Sequence, residues 1–334
     1  MKILDTKYMG LRLKNPIIAG SCGLTSTVEG IKKLAESGVA AVVLKSVFEE
    51  EVIKEHEETL KNNLGAFENN MEFLDYFDYQ IKDDVLKNMA SLIEEAKKEV
   101  DIPIIGSLNC ATSGEWISYA KQLEKAGVDA LELNVFKLPF DVEMEADAQE
   151  KLYLSIIEKI KEQVKIPVAI KIAPYSSNLA ALVKKLESAG ADAITMFNRF
   201  YNVDFDIMTD EVKAGNPYSS EQDYYNTLRW VSIMSGKVSC DLSASTGIHS
   251  AETAIKMLMA GTTTVQVVSK LYKDGIGSVA GILKNIELWM DKRGYVSVDE
   301  FRGSVHHEPT ENSERFERVQ FMKYFSGHNP QQIL

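Results

Sequence analysis

One phrase recurs along this chain and restricts its fold more than any other feature. Glu36-Ser37-Gly38-Val39-Ala40-Ala41-Val42-Val43 is repeated in kind by Lys125-Ala126-Gly127-Val128-Asp129-Ala130-Leu131-Glu132 and by Ser188-Ala189-Gly190-Ala191-Asp192-Ala193-Ile194-Thr195. Met259-Ala260-Gly261-Thr262-Thr263-Thr264-Val265-Gln266 is a looser copy. Each reads as a helix end, a glycine cap, a short turn and a buried strand. A second phrase interleaves with it, Asp101-Ile102-Pro103-Ile104-Ile105 and Lys165-Ile166-Pro167-Val168-Ala169, in which proline opens a strand where its missing N–H does no harm. Together they predict strands at 16–19, 41–46, 102–108, 130–134, 167–172, 193–197, 237–242 and 263–268, with a helix-like segment between successive strands. That alternation makes a parallel sheet, most simply closed into a (β/α)8 barrel. An open doubly wound sheet is the runner-up, but its G-x-G-x-x-G turn after an early strand is missing.

Around this frame, residues 6–15 read as a hairpin turning at Gly10 that closes the N-terminal end of the barrel. Two connections, 48–82 and 198–223, are too long for ordinary turns. Both leave the C-terminal ends of strands, so they read as lids or a small excursion, or else as solvated insertions or a dimer contact. The whole chain, 1–334, is expected to be one domain, with 295–334 a tail packed on its outside carrying Arg302, Arg315, Phe316 and Arg318. A formal charge of -12 argues against nucleic acid or an anionic membrane as partner. The cysteines, Cys22, Cys110 and Cys240, are sparse and unpaired in pattern, which suggests a reducing compartment. No apolar run approaches the roughly 20 residues that span a bilayer, and no signal-like segment opens the sequence. A cytoplasmic protein is expected.

In such a barrel the chemistry gathers at the C-terminal ends of the strands. Asp241-Leu242-Ser243-Ala244-Ser245-Thr246-Gly247 and, one helix later, Val267-Val268-Ser269-Lys270 are strand ends rich in small residues. Small side chains let backbone N–H groups approach an anion, and the loops after the last two strands of this fold often hold a phosphate. Lys171 interrupts an apolar run and is expected to be buried, so it needs a partner. That partner is either a structural carboxylate or an anion in the barrel mouth, where Lys45 also ends a strand. A reduced flavin is such an anion. Cys22, Cys240 and the three tryptophans read as packing residues, and His306-His307 has no ligand partners at metal spacing.

Lys14-Asn15-Pro16-Ile17-Ile18-Ala19-Gly20-Ser21-Cys22-Gly23, Leu44-Lys45-Ser46, Glu132-Leu133-Asn134, Val168-Ala169-Ile170-Lys171, and Thr246-Gly247-Ile248 through Ala260-Gly261 to Val265-Gln266-Val267 together resemble the dihydroorotate dehydrogenase family, in order, over about residues 5–290. The resemblance implies FMN at the C-terminal mouth, with Lys45 and Ser46 beside the flavin and Lys171 near its N1 side. It implies a phosphate held by Thr246, Gly247 and the Val268-Ser269 turn. Ser21, Asn109 and Ser245 complete the expected cofactor set. Asn134 and Asn198 would bind substrate while hydride passes to flavin N5, with a soluble electron acceptor and a homodimer in the manner of the soluble branch. The family's strand-four loop reads roughly Asn-x-Ser-Cys-Pro-Asn, its Cys or Ser acting as base. Here it is Asn134-Val135-Phe136-Lys137-Leu138-Pro139, so Lys137 takes the place of the base. The expectation is therefore an FMN-dependent dehydrogenase acting on dihydroorotate with Lys137 as base. The alternatives are an FMN-binding barrel with another substrate, a flavin scaffold without dehydrogenase chemistry, and a sugar-phosphate barrel without flavin.

Overall fold

A computed structural model of the chain describes residues 2–48, 71–109, 113–135, 138, 140–199 and 202–306. It opens with β1 (Thr6–Tyr8) and β2 (Leu11–Leu13), an antiparallel hairpin. The two turn residues, Met9 and Gly10, have φ of 52° and 82°, as a tight two-residue hairpin turn requires. Then follow β3 (Ile17–Ala19), α1 (Val28–Ser37), β4 (Ala41–Val43), β5 (Val47–Phe48), α2 (Met71–Glu99), β6 (Ile104–Asn109), α3 (Ser113–Ala126), β7 (Ala130–Asn134) and α4 (Ala146–Gln163). The chain continues through β8 (Val168–Ile172), α5 (Leu179–Ser188), β9 (Ala193–Met196), β10 (Val203–Asp206), β11 (Glu211–Ala214), α6 (Tyr224–Met234), β12 (Asp241–Ala244), α7 (Ala251–Ala260), β13 (Thr264–Val267), α8 (Ser269–Asp274) and α9 (Ser278–Arg293).

The parallel sheet has the hydrogen-bonded order β4-β3-β13-β12-β9-β8-β7-β6-β5, and a further β4–β6 pairing closes it into a ring. Because β4 and β5 are successive pieces of one strand, broken at residues 44–46, the nine segments amount to eight staves. The repeated phrase behaves as expected. Gly38, Gly127, Gly190 and Gly261 all adopt left-handed φ between 98° and 115°, where a side chain would be strained.

Strand alternation sorts the core into two bodies. Val168, Ile170 and Ile172 of β8 face the helices, as do the apolar residues in phase with them on neighbouring strands. Inside the ring the floor is lined by small residues, Ala41, Ala130, Ala169 and Ala193, and the space they leave is filled by Tyr8 and Leu13 of the N-terminal hairpin. The hairpin thus plugs the barrel's N-terminal end and leaves the C-terminal end for the site.

Two expectations need correction, and the second long connection proves to carry an element of its own. The seventh strand is not 237–242 but Asp241–Ala244. The Glu187 carboxylate accepts the backbone N–H groups of Ser239 and Cys240, and Lys184 Nζ donates to Lys237 O at 3.2 Å, so 237–240 is held as a turn and Cys240 stands outside the strand. The first long connection ends at Met71, where α2 begins, and not near 82. Residues 71–99 contain neither Gly nor Pro, so nothing in the backbone stops the helix earlier. The second long connection, whose internal structure the sequence reading left open, is partly regular. It forms the antiparallel β10–β11 hairpin, with Phe205 opposite Val212.

Of the segment 295–334, only residues 295–306 are described, and these pack against the barrel's outer elements. Ile3 bridges Ser297, while Phe301 is buried and stacks edge-on to Trp289 at 4.9 Å. Arg315, Phe316 and Arg318 lie outside the described residues. Among the described residues no helix is long and apolar enough to cross a membrane, and no group of His, Cys, Asp and Glu could hold a metal.

Candidate functional site

Above the alanine floor, the next inward positions of the staves are polar. Glu132 and Asn134 of β7, Lys171 of β8, Thr195 of β9, Ser243 of β12, Thr264 and Gln266 of β13 and Ser107 of β6 are all buried. Register sets their neighbours: Asn134 pairs with Lys171, and Lys171 with Thr195. Lys171 Nζ donates to Gln266 Oε1 at 3.0 Å and lies 3.5 Å from Glu132 Oε1. Glu132 Oε2 accepts from Thr195 Oγ1 at 2.9 Å and from Gln266 Nε2 at 2.5 Å. The partner required by a buried lysine is therefore an internal carboxylate, as one of the two sequence readings had it. Lys171 nonetheless still faces the mouth, because it and Gln266 line the cleft there.

The same cleft gathers most of the expected cofactor set. Ser21 lines it from the end of β3, and Asn198 from the end of β9. Ser245, Thr246 and Gly247 line it after β12, and Val268 and Ser269 after β13. Ser46 lies beside Ser21, its backbone N–H donating to Ser21 Oγ at 3.0 Å, and its own hydroxyl meets Ser107 Oγ at 2.7 Å. Asn109 is buried at the end of β6. Lys45 occupies the break between β4 and β5, on the same rim as Lys171 and three staves away. Asn134 is buried, and its Oδ1 accepts no hydrogen bond among the described residues. A buried amide oxygen left without a donor wants one from outside the protein. Lys137 and Cys110 lie outside the described residues.

The turn after β12 has an unusual backbone. Thr246 and Gly247 both have positive φ, 77° and 79°. Thr246 Oγ1 donates to Phe197 O at 3.1 Å, and Thr227 Oγ1 of α6 donates to Ser245 O at 3.1 Å, so the turn is tied to β9 on one side and α6 on the other. Successive backbone N–H groups in a turn can form a concavity suited to an anion, and this turn is a candidate for such a cradle.

Sequence reasoning missed what covers this cradle. Ser219, at the end of the long 198–223 connection, is buried and tied at three atoms. Its N–H donates to Ser269 Oγ at 2.9 Å, its hydroxyl meets His249 Nε2 at 2.8 Å, and its carbonyl accepts from Lys273 Nζ at 2.8 Å. Arg199 also lines the cleft and donates to Asn216 O and Pro217 O at 3.1 and 2.7 Å, which folds the connection back over the mouth. No local pattern announces Ser219 or Arg199. Glu132 and Gln266, by contrast, each interrupt an apolar run as Lys171 does.

Burial lowers the pKa of His249, helped by the nearby Lys273 and Lys270 and opposed by Glu221. The sign follows directly. Above about pH 6.5, the ordinary imidazole value, His249 is neutral in both folded and unfolded chains and adds no pH dependence. Below it the unfolded chain takes up the proton first, so the fold loses stability as pH falls toward the lowered value. Thermal unfolding measured between about pH 7.5 and pH 5 should show this acid limb, and His249→Gln should flatten it.

Comparison with known proteins agrees with this geometry. The family profile described as dihydroorotate dehydrogenase matches residues 3–290. The catalytic subunit of dihydroorotate dehydrogenase B (NAD(+)) from Thermoplasma volcanium is 29% identical over 317 residues, covering 91% of this chain and 98% of that protein. The protein of the same description from Methanosarcina mazei is 29% identical, covering 89% of this chain and 93% of its own length. A putative dihydroorotate dehydrogenase A (fumarate) from Aeropyrum pernix is 26% identical over 66% of this chain and 73% of that protein. A family match over residues 3–290, which spans all eight staves of the barrel, shows that the chain belongs to the dihydroorotate dehydrogenase family of oxidoreductases acting on CH–CH groups.

Proposed function

We propose that the chain oxidises dihydroorotate to orotate with FMN as its cofactor. The observation that carries this reading is the pairing of a buried ammonium, Lys171, with a backbone anion cradle at residues 245–247 in one cleft. The donor set suits FMN: the cradle and the Ser269 turn offer N–H and hydroxyl groups to a phosphate, and Lys171 and Gln266 offer polar contacts to a flavin ring. A Cβ on Gly20 would come within 2.8 Å of Val268 Cγ2 and 3.3 Å of Gln266 Oε1, both on cleft-lining residues, so the glycine leaves those two side chains in place.

When bound, FMN supplies a hydride acceptor for the substrate's CH–CH bond. The residues of this chain do the rest. Asn134 and Asn198 hydrogen-bond the substrate's polar edge, the first through its unpartnered Oδ1. The 198–223 connection, fastened through Ser219, limits water at the mouth. Lys137, where the family carries Cys or Ser, removes the proton once its own pKa is depressed by burial or a neighbouring cation. The names of the Thermoplasma and Methanosarcina relatives suggest that electrons leave through a second subunit toward NAD(+). We extend that to this chain as the specific form of its soluble acceptor, with a homodimer as the core assembly in the cytoplasm.

Purified protein should be yellow, and anaerobic mixing with dihydroorotate should bleach the flavin band. Lys137→Ala should slow the bleaching at least ~100-fold, the lower end of the range for a general base. Bound flavin that no dihydroorotate reduces would favour a scaffold or another substrate. A colourless protein would favour the flavin-free barrel.

A further inference from the structure

Glu132 is only 1% exposed, and the reaction proposed above gives it no task. A carboxylate inside a barrel is expensive when a leucine would fill the same space. Its surroundings are specific. Oε2 is held by Thr195 and Gln266, while Oε1 accepts no hydrogen bond among the described residues and faces the Lys171 ammonium at 3.5 Å. Gln266 is clamped to both, giving its amide N–H to Glu132 and taking a hydrogen bond from Lys171 on its carbonyl. Along β7, Glu132 lies two residues below Asn134, which is level with Lys171. Lys171 and Gln266 line the cleft and Glu132 does not. The ammonium thus sits between an internal carboxylate behind it and the cleft in front.

We propose that Glu132 is a positioning residue that acts through Lys171, holding the ammonium in place and offsetting part of its charge, and so sets how strongly the cleft favours the negatively charged, reduced form of a bound flavin. The inference rests on the flavin reading above. A lone buried ammonium would stabilise a reduced, anionic ring strongly. A carboxylate paired with that ammonium turns a full charge into a dipole, and the stabilisation at the cleft is weaker. Glu132 therefore tempers the cofactor's readiness to accept electrons without touching it.

The test is a redox titration of the FMN-loaded protein and of three variants: Glu132→Gln, Lys171→Met and the double variant. Glutamine keeps an oxygen to accept from Thr195 and Gln266, removes the charge, and turns an amide nitrogen toward Lys171 in place of the carboxylate oxygen. In E132Q the two-electron midpoint should rise, so that at a fixed ambient potential the reduced-to-oxidised ratio grows about tenfold, equivalent to about 30 mV for a two-electron couple. In the K171M background the same Glu132→Gln change should move the midpoint little, because no ammonium is then present for Glu132 to hold in place or to offset. Should E132Q fail to accumulate as folded protein, Glu132→Asp draws the carboxylate back by one methylene and should shift the midpoint in the same direction by less. An unmoved midpoint in E132Q, or an equal shift in both backgrounds, overturns the proposal. A yellow wild-type protein with either result removes this inference alone. A wild-type protein that binds no flavin removes the cofactor reading and this inference with it.

Discussion

Lys171→Met should lower the free energy of unfolding by about 3–5 kcal/mol, the range for removing one partner of a buried ion pair. The loss does not come from the lysine's own packing, since methionine has nearly its shape without the charge. It comes from Glu132, which is left buried with its Oε1 facing no cation. Two controls separate this from a general loss of fit. In the double variant with Glu132→Gln most of the loss should return, because neither charge then remains in the barrel. The second control is the cofactor: flavin retained per chain in K171M should fall while the double variant recovers stability without recovering the lost ammonium. Denaturant midpoints, together with the flavin retained per chain, would show both effects. A K171M protein as stable as the parent, at neutral pH, would mean that the ammonium does not compensate Glu132.

The barrel was legible because its signals are local. A glycine that ends a helix, a short turn and a buried strand fall within eight consecutive residues, and Ala130–Asn134 was anticipated to the residue. Where the structure departs from expectation, the cause is a contact from elsewhere in the chain. The seventh strand starts late because Glu187, more than fifty residues upstream, captures the backbone at 239 and 240. The β10–β11 hairpin went unforeseen inside the 198–223 connection because its strands, VDFD and EVKA, have one face of charged residues and are exposed on the other, so neither burial nor a long apolar run marks them. The site divides in the same way. Lys171 is visible in the sequence as an anomaly in an apolar run, but its partners are not. Gln266 is 95 residues away in sequence, and Glu132 and Gln266 are 134 apart. Only the register of the closed ring puts three such interruptions side by side. The turn at 245–247 drew attention by its small residues. Its cover by Ser219 depends on where a long connection returns, which composition does not specify.

Gly247→Ala should be the most damaging change in the cradle, although it adds a single methyl group. The residue has φ of 79°, and a Cβ there would lie 2.3 Å from Tyr224 N and 2.9 Å from the carbonyl carbon of Asp223. Those are backbone atoms at the start of α6, so no side chain can swing aside. Relief requires either that φ leave the left-handed region or that α6 retreat. Either movement pulls on neighbours that are already fixed, since Thr227 of α6 holds Ser245 O and Thr246 holds Phe197 O. Backbone strain and overpacking together should cost about 2–4 kcal/mol of stability. Misaligned N–H groups in the cradle should weaken FMN binding by roughly 10- to 100-fold, the equivalent of one charge-assisted hydrogen bond. Gly281 gives the matched control. It lies inside α9, and a Cβ there meets nothing within 4 Å, so Gly281→Ala should gain about 0.5–1 kcal/mol from helix propensity and leave cofactor affinity unchanged. Thermal unfolding and flavin titration of the two variants side by side would separate a cradle that needs its bare backbone from a loop that merely tolerates glycine. If G247A melts and binds flavin as the parent does, residues 245–247 do not hold the phosphate.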